Sequence, residues 1–238
     1  MKERRPDSIR VMTWNIHGGI GPDGRFDLDR IAKLILRHDP DVVALQEIET
    51  RGRGQDSLQP LRMLFEARGH WHEARTISAP DGDYYGHALL SRWPMRHGRL
   101  HDLSFSDREP RFAIEAKIDS PHGPLHMVSA HLGLALSERR MQAGKLAKLA
   151  HPGGGEPGIV VGDFNDWFAF GAVRRALRAV LPQRTMLKTF PARAPIFRLD
   201  RIYVKGPARL TAAWSDREAR TCSDHLPVIA DIAPRASD

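Results

Sequence analysis

Apolar runs typical of buried strands alternate along the chain with segments whose apolar residues recur every three or four positions. The first run, "IRVMTW", is followed by a segment that places Leu28, Ile31 and Ile35 on one face of a helix. Asp27 is suited to cap the first turn of that helix, and Pro40 stands just beyond its end. The pattern therefore predicts a strand followed by an amphipathic helix.

The same alternation continues to the C-terminal part of the chain. Three further segments predict helices: "LQPLRMLFEARG", a stretch that Ser137 caps and that runs to about Ala150, and "GAVRRALRAVL", which Pro182 ends. In "FAIEAKI" the apolar residues alternate strictly, and the turn "DSPHGP" leads into "LHMVSAHL", so this pair predicts an antiparallel hairpin. Other runs with strand character are "DVVALQE", "YYGHALLS", "IVVGDFN", "RLDRIYV", "ARLTAAW" and "LPVIADI".

These elements predict one α/β domain with mixed or antiparallel sheets. The chain contains no internal repeat and no linker long enough to separate two domains. The domain is expected to cover residues 9–233, between a charged N-terminal tail, 1–8, and a short C-terminal tail, 234–238.

Composition narrows the class of protein. The 238 residues are 41% hydrophobic, which is enough for a sizeable core. The apolar runs are far shorter than the ~20 residues that span a bilayer, so we expect no transmembrane segment. The N-terminal sequence "MKERRPDSIR" lacks the apolar region of a secretory signal, and a single cysteine, Cys222, excludes an internal disulfide. We therefore expect a soluble, cytoplasmic monomer.

The net charge of +7 results from 36 basic and 29 acidic residues. A basic surface attracts anionic partners, which include nucleic acids, phospholipid headgroups and phosphorylated metabolites. A general compositional bias would produce the same charge. No run of five like charges forms a basic tail, so the charge alone does not identify a partner.

The segment "TWNIHGGIGPDG" admits two interpretations. Gly19, Gly21 and Gly24 form the G-x-G-x-x-G pattern of dinucleotide-binding loops, which would make the protein an oxidoreductase. Such a loop needs a tight turn directly after the strand, yet Trp14 and Leu28 stand about a dozen residues apart. We therefore favour a surface loop with glycines at its turns.

The second interpretation makes this segment one wall of a metal site. Asn15 and Glu47 each end a predicted strand, and neighbouring strands would bring both side chains to one sheet edge. A glutamate offers a hard cation an anionic oxygen, and an asparagine can add a carbonyl oxygen.

Further polar residues also stand at strand ends. In "VVGDFND", Asp163 and Asn165 are two positions apart, and on an extended chain both would point the same way. Asp200 interrupts an apolar run, where a buried carboxylate needs a partner and histidine is a natural one. The remaining members of the set are His131, which ends a strand, and the adjacent pair Asp224 and His225.

Taken singly, each of these residues has an ordinary structural explanation as a cap, a turn or a core residue. Their order along the chain is more specific, and it resembles the endonuclease/exonuclease/phosphatase superfamily. The matching segments are "TWNIHGG", "LQEIE", "GHALLSRWP", "SAHLGL", "VVGDFND", "LDRIYV" and "CSDHLPV", which together extend over nearly the whole chain. The resemblance implies a four-layered α/β sandwich of two packed mixed β-sheets flanked by helices. It also implies hydrolysis of phosphoester bonds with Mg²⁺, for which Mn²⁺ could substitute.

The resemblance also implies roles for individual residues. Glu47 would be the principal Mg²⁺ ligand, with Asn15 near the metal or phosphate and Asp224 completing the metal site. Asp163 would orient or deprotonate the attacking water. The remaining roles concern the phosphate: Asn165 would hold one of its oxygens, His225 would donate to it with Asp200 fixing the tautomer, and His131 would contact it or the leaving group.

The substrate stays open at this point. His131 in "SAHL" resembles the deoxyribonuclease, sphingomyelinase and inositol-phosphatase branches more than the apurinic endonucleases. Arg111 is a candidate phosphate contact, and a plain surface arginine is the equal alternative; Arg92 and Arg201 are weaker candidates.

The expected function is a metal-dependent phosphodiesterase that acts on nucleic acid, phospholipid or another small phosphoester. The alternatives are a phosphatase or phospholipase acting on phospholipids or inositol phosphates, and a binding module that kept the fold without catalysis. The complete set of candidate residues argues against the last alternative.

Overall fold

The computed structural model describes residues 7–150, 156–167 and 171–234. These residues form four α-helices: α1 (Leu28–His38), α2 (Gln55–Arg68), α3 (Leu136–Leu149) and α4 (Ala172–Val180). The strands are β1 (Ile9–Asn15), β2 (Val42–Glu49), β3 (His70–Ser78), β4 (Tyr84–Ser91), β5 (Met95–Asp102), β6 (Phe112–Ser120), β7 (Gly123–His131), β8 (Gly158–Asp163), β9 (Gln183–Arg184), β10 (Asp200–Lys205), β11 (Ala208–Trp214) and β12 (Val228–Pro234).

The described strands form two six-stranded sheets, ordered β11-β12-β1-β2-β4-β3 and β5-β6-β7-β8-β10-β9. Each sheet is mixed, because β1 pairs with β2 and β7 pairs with β8 in parallel while their other neighbours are antiparallel. The predicted β6–β7 hairpin is confirmed.

The core has three apolar layers between four structural layers. One cluster, which includes Trp14 and Leu45, lies between the first sheet and helices α1 and α2. A second, which includes Val11 and Ile159, fills the space between the sheets. A third, which includes Tyr203, lies between the second sheet and helices α3 and α4. This arrangement confirms the predicted α/β sandwich.

Helix α1 begins as predicted, because the Asp27 side chain accepts a hydrogen bond from the main-chain N–H of Arg30. The prediction that Ser137 caps α3 is wrong. That helix begins one residue earlier, at Leu136, and the carboxylate of Glu138 instead accepts from the main-chain N–H of Ala135. The cap residue, Ala135, makes no side-chain capping hydrogen bond, and a carboxylate in the first turn accepts from its main-chain N–H instead.

Two full strands were missed in the sequence. Strands β3 and β5 are edge strands, and most of their residues are exposed or only half buried. Without one consistently buried face they lack the alternation that identified β6.

The glycine-rich loop after β1 is not a dinucleotide-binding turn. A short 3₁₀ turn, His17–Gly19, follows the strand, and α1 begins only at Leu28. Gly24 has open space around it, as expected of a surface loop. In the described part of the chain, no helix is both long and apolar enough to cross a bilayer.

The contact between β7 and β8 depends on a glycine. Gly162 has a φ of +142°, and a Cβ placed on it would lie 1.8 Å from the carbonyl oxygen of Ala130. Gly162 stands directly before Asp163, so a change in its backbone would also displace that carboxylate.

We expect Gly162→Ala to lower the free energy of unfolding by at least about 2 kcal/mol, because it combines backbone strain with a main-chain clash. The control is Gly144→Ala, at a position inside α3 with nothing within 4 Å of the added Cβ. It should stabilise the protein by about 0.5–1 kcal/mol. Urea unfolding measures both changes, and equal stability of the two variants would contradict this account.

Candidate active site

Polar side chains replace apolar ones at one end of the layer between the sheets. Alternate residues of each strand point into this layer. In β1 the series Ile9 and Val11 leads to Asn15, and in β8 the series Ile159 and Val161 leads to Asp163. His131 and Asp200 lie directly opposite Asp163 on the two neighbouring strands. The period that builds the core therefore also delivers four of the predicted residues to one place.

Glu47 reaches this place through a break in the regular strand. The β2–β4 register shifts between Leu45 and Ile48, and Glu47 has a left-handed φ of +55°. Such an irregularity re-aims a side chain relative to its neighbours. His17 and Asn165 also have left-handed φ values, of 48° each, so the backbone is strained at three residues around the same end of the sheets.

Asn15 links the two sheets. Its amide nitrogen donates to Glu47 Oε1 over 2.8 Å and to Asp163 Oδ2 over 3.0 Å. Its side-chain oxygen, Oδ1, accepts from the main-chain N–H of His17 over 3.0 Å. In this structure Asn15 thus holds two carboxylates in position rather than presenting a free carbonyl oxygen.

His225 forms the predicted pair with Asp200. Its Nδ1 lies 2.8 Å from Asp200 Oδ2, and its Nε2 lies 3.8 Å from Asp163 Oδ2. Burial alone would lower the pKa of His225, but Asp200 and Asp163 together raise it well above the usual value. Burial and Asp200 raise the pKa of Asp163. His225 is thus kept in its imidazolium form next to Asp163, a carboxylate that takes up a proton readily.

His131 has the opposite electrostatic environment. Its Nδ1 lies 3.1 Å from the guanidinium of Arg111, which has no proton acceptor of its own, so Nδ1 accepts the hydrogen bond. Burial and the Arg111 charge hold the pKa of His131 well below its usual value. The ring is therefore neutral with its proton on Nε2, which lies 3.8 Å from Glu47 Oε1 and 3.7 Å from Asp163 Oδ2. Arg111 is itself buried and orients His131 from behind.

Asn165 comes close to His131, but not along an extended strand as predicted. Its left-handed backbone turns the chain back, and its main-chain N–H donates to Asp163 Oδ1 over 2.9 Å. Its side-chain nitrogen donates to the carbonyl of Leu132 over 2.8 Å and lies 3.5 Å from His131 Nε2. The two side chains share the site because of this local turn.

His17 was not identified as a site residue from the sequence. Its Nδ1 lies 3.5 Å from Glu47 Oε2 and 3.6 Å from Asp224 Oδ1. Although it stands within "NIHGG", only two positions after Asn15, nothing in the periodicity marks it, because a left-handed turn aims its side chain. Burial raises the pKa of Glu47, but hydrogen bonds from His17 and Asn15 and the nearby imidazoles lower it to about 2.

Two sets of donors fit a divalent cation. Asp163, Asp200 and His225 offer ligand atoms that all lie within 4.8 Å of one another, and Asp200 Oδ1 is buried with no hydrogen-bond partner among the described residues. The second set is Glu47 and Asp224, each of which has a carboxylate oxygen within 3.6 Å of the same atom, His17 Nδ1. Carboxylate oxygens are the ligands that hard cations such as Mg²⁺ prefer.

We expect the two buried imidazoles to differ in charge between about pH 6 and 8. His131 should stay neutral with its proton on Nε2, and His225 should stay protonated, because its raised pKa keeps the charged form at a pH where a free histidine has lost it. Asp200→Asn should lower the titration midpoint of His225, since it removes the adjacent negative charge. Imidazole ¹⁵N shifts, assigned with His131→Gln and His225→Gln, measure this, and a neutral His225 at pH 7 would refute the expectation.

Comparison with known proteins agrees with this architecture. Residues 12–225 match the sequence model of the Endonuclease/Exonuclease/phosphatase family. The chain is 32% identical, over an alignment 248 positions long, to uncharacterized protein YbhP of Escherichia coli (strain K12), and the alignment covers 94% of this chain and 96% of that protein.

Solved structures share the fold at lower sequence identity. An endonuclease/exonuclease/phosphatase from Beutenbergia cavernae DSM 12333 has a TM-score of 0.77 at 22% identity, over 96% of this chain and 72% of that one. The mannosyl-6-phosphatase Bt3783 of Bacteroides thetaiotaomicron VPI-5482 has a TM-score of 0.69 at 19% identity, over 95% of this chain and 100% of that one.

Proposed function

The chain belongs to the endonuclease/exonuclease/phosphatase family, and from this we propose that it is a divalent-metal-dependent hydrolase whose natural substrate is a phosphodiester. The observation that carries the proposal is the hydrogen-bonded connection from Glu47 through Asn15 to Asp163, next to the His225–Asp200 pair. Charged groups buried together at this density are costly to folding unless they act on a ligand.

The proposed roles follow from the protonation states. Asp163, whose raised pKa suits a general base, orients and deprotonates the attacking water. His225, held protonated by Asp200, donates to the phosphoryl oxygen on which negative charge develops. His131 donates from Nε2 and Asn165 from its amide, and Arg111 fixes the ring of His131.

We propose that Glu47 and Asp224 hold the metal ion, with Asn15 positioning Glu47, and that Mg²⁺ or Mn²⁺ is the ion. Bound there, the ion would supply charge stabilisation to the phosphate and acidify a water molecule. The Asp163, Asp200 and His225 group is the less suitable holder, because a protonated His225 has no lone pair for a metal.

The charges around the site favour a diester over a monoester. Four carboxylates, Glu47, Asp163, Asp200 and Asp224, surround it, while positive charge comes from His225 and from Arg111, which is also paired with Glu109. A bound divalent ion would offset two of the four carboxylate charges, and His225 and Arg111 offset the others, so little positive charge is left over for the phosphate. A diester carries one negative charge and a monoester close to two, so the site suits the diester better. The fold shared with a mannosyl-6-phosphatase makes phosphomonoester hydrolysis the second candidate.

The purified protein is expected to hydrolyse bis-p-nitrophenyl phosphate with Mg²⁺ or Mn²⁺ and to lose this activity in EDTA. Glu47→Gln and His225→Gln should each lower kcat at least about 10²-fold, because the first removes a charged ligand of the proposed metal ion and the second removes a proton donor to the phosphate. Glu115→Gln is the matched control, since Glu115 also pairs with histidines, His101 and His126, but does so away from the site. The proposal fails if Glu47→Gln keeps full activity while its circular dichroism is unchanged.

Equilibrium binding of Mn²⁺ distinguishes the two donor sets. If Glu47 and Asp224 hold the ion, Glu47→Gln and Asp224→Asn should each weaken binding at least about tenfold, and His225→Gln should change it little. Isothermal titration calorimetry on dialysed protein gives these affinities. The reverse pattern would assign the ion to the Asp163, Asp200 and His225 group.

The ratio of activities on bis-p-nitrophenyl phosphate and p-nitrophenyl phosphate tests the preference for diesters. We expect kcat/KM to be higher for the diester by about tenfold or more, because of the charge argument above. A panel of duplex DNA, single-stranded DNA, RNA, sphingomyelin, phosphatidylglycerol and inositol phosphates then identifies the substrate. A preference for the monoester would support the second candidate.

A further inference from the structure

A recess of about 120 Å³ lies near the candidate active site, where β9, β10, the start of α4 and the segment after Asn165 meet. None of the residues assigned above to the reaction lines it. Its polar lining consists of four arginines and one carboxylate, and Trp167 forms part of an apolar wall. The charged residues are Arg174, Arg184, Arg198, Arg201 and Asp166.

Three of these guanidinium groups, those of Arg184, Arg198 and Arg201, outnumber the acidic groups among the described lining residues. Asp166 is the single acidic residue among the described residues that line the recess. One of its oxygens accepts the main-chain N–H of Arg174 over 3.1 Å and lies 3.7 Å from Arg201 Nη1. The carboxylate is thus partly engaged in capping α4, and its distance from the Arg201 guanidinium exceeds that of a direct hydrogen bond.

The contacts of the other arginines are mainly with uncharged groups. Arg198 Nε donates to the carbonyl oxygen of Met186 over 2.9 Å. Arg201 Nη1 donates to the hydroxyl of Tyr203 over 3.2 Å. These bonds orient the guanidinium groups without neutralising them.

Arg184 is the arginine of the recess whose side chain most clearly lacks a hydrogen-bond partner among the described residues. Its Nε is buried and has no hydrogen-bond partner among the described residues. Burial and the neighbouring charge of Arg174 lower the pKa of Arg184, and Arg178 and Arg201 act in the same direction. A cation in such surroundings raises the free energy of the unliganded protein, and a bound anion would relieve that cost.

Aromatic rings connect the recess to the candidate active site. The ring of Phe190 lies 4.8 Å from that of His225, and the ring of Trp167 lies 5.4 Å from Phe190. Trp167 also contacts Phe197 at 4.9 Å, and both of these rings line the recess. The recess therefore lies two ring contacts away from His225, with Phe190 and Trp167 between the two.

We propose that this recess binds a second phosphate group of the substrate, so that the enzyme acts on molecules that carry a further phosphate beyond the scissile one. The proposal rests on the proposed phosphodiester hydrolysis and names its substrate class. Planar guanidinium groups bind phosphate through paired hydrogen bonds, and several of them around one cavity favour a multiply charged oxyanion.

The test uses alkane bisphosphates with four, six and eight carbons between the phosphates, with hexyl phosphate as the singly phosphorylated reference. Calorimetric titration into dialysed protein measures affinity without reference to hydrolysis. Inhibition of bis-p-nitrophenyl phosphate hydrolysis, with free metal ion in excess over the inhibitor, measures the same preference during turnover.

At least one bisphosphate should bind about tenfold or more tightly than hexyl phosphate, because it occupies both positions at once. Arg184→Gln should reduce this ratio to within about twofold. The matched control is Arg99→Gln, which removes an exposed arginine on β5, at the opposite edge of the same sheet, and should leave the ratio unchanged.

Two outcomes overturn the proposal: equal binding of all bisphosphates and hexyl phosphate, or a preference that survives Arg184→Gln. Either result, with hydrolysis intact, leaves the proposed function standing. The protein could instead lack hydrolytic activity and still show a bisphosphate preference that depends on Arg184. This result would refute the proposed function and support the recess as a phosphate-binding site.

Discussion

The hydrogen bonds of Asn15 are the contact on which the candidate site depends. Asn15 and Glu47 belong to the first sheet and Asp163 to the second, so this one amide fixes the two sheets relative to each other at the end where the polar residues converge. The neighbouring main chain is fixed as well. The Trp14 indole donates to the carbonyl of His225, and the Ser223 hydroxyl donates to the carbonyl of Asn15. The same hydrogen bonds therefore fix both the relative position of the two sheets and the geometry of the site.

The sequence predicted most of the fold because most elements have a regular period. Strands such as β6, with one buried face, and α1, with its Asp27 cap, could be read directly. The order of polar residues at strand ends also predicted a common site, and parallel pairing of β1 with β2 brings Asn15 and Glu47 together as expected. Periodicity thus predicted the regular strands and helices, and residue order predicted the common site.

The features that the sequence did not predict arise from local backbone geometry or from long-range charge. His17, which was not predicted as a site residue, and Asn165, which was, both reach the site through left-handed backbone conformations that no apolar pattern predicts. The edge strands β3 and β5 bury so little of their surface that apolar and polar residues do not alternate along them. The neutral state of His131 depends on Arg111, which is 20 positions away in sequence, and this contact was not predicted. The pairing of Asp200 with His225 was predicted, because a buried carboxylate needs a partner.

The position of β12 inside the first sheet has a consequence for biosynthesis. This strand pairs with β1 on one side and β11 on the other, so the sheet cannot close until the segment Val228–Pro234 has left the ribosome. His225 lies three residues before β12, so it takes its place in the candidate site when this strand joins the sheet. The candidate site is therefore incomplete in any nascent chain whose β12 has not yet joined the sheet, and it assembles only when β1 and β12 pair.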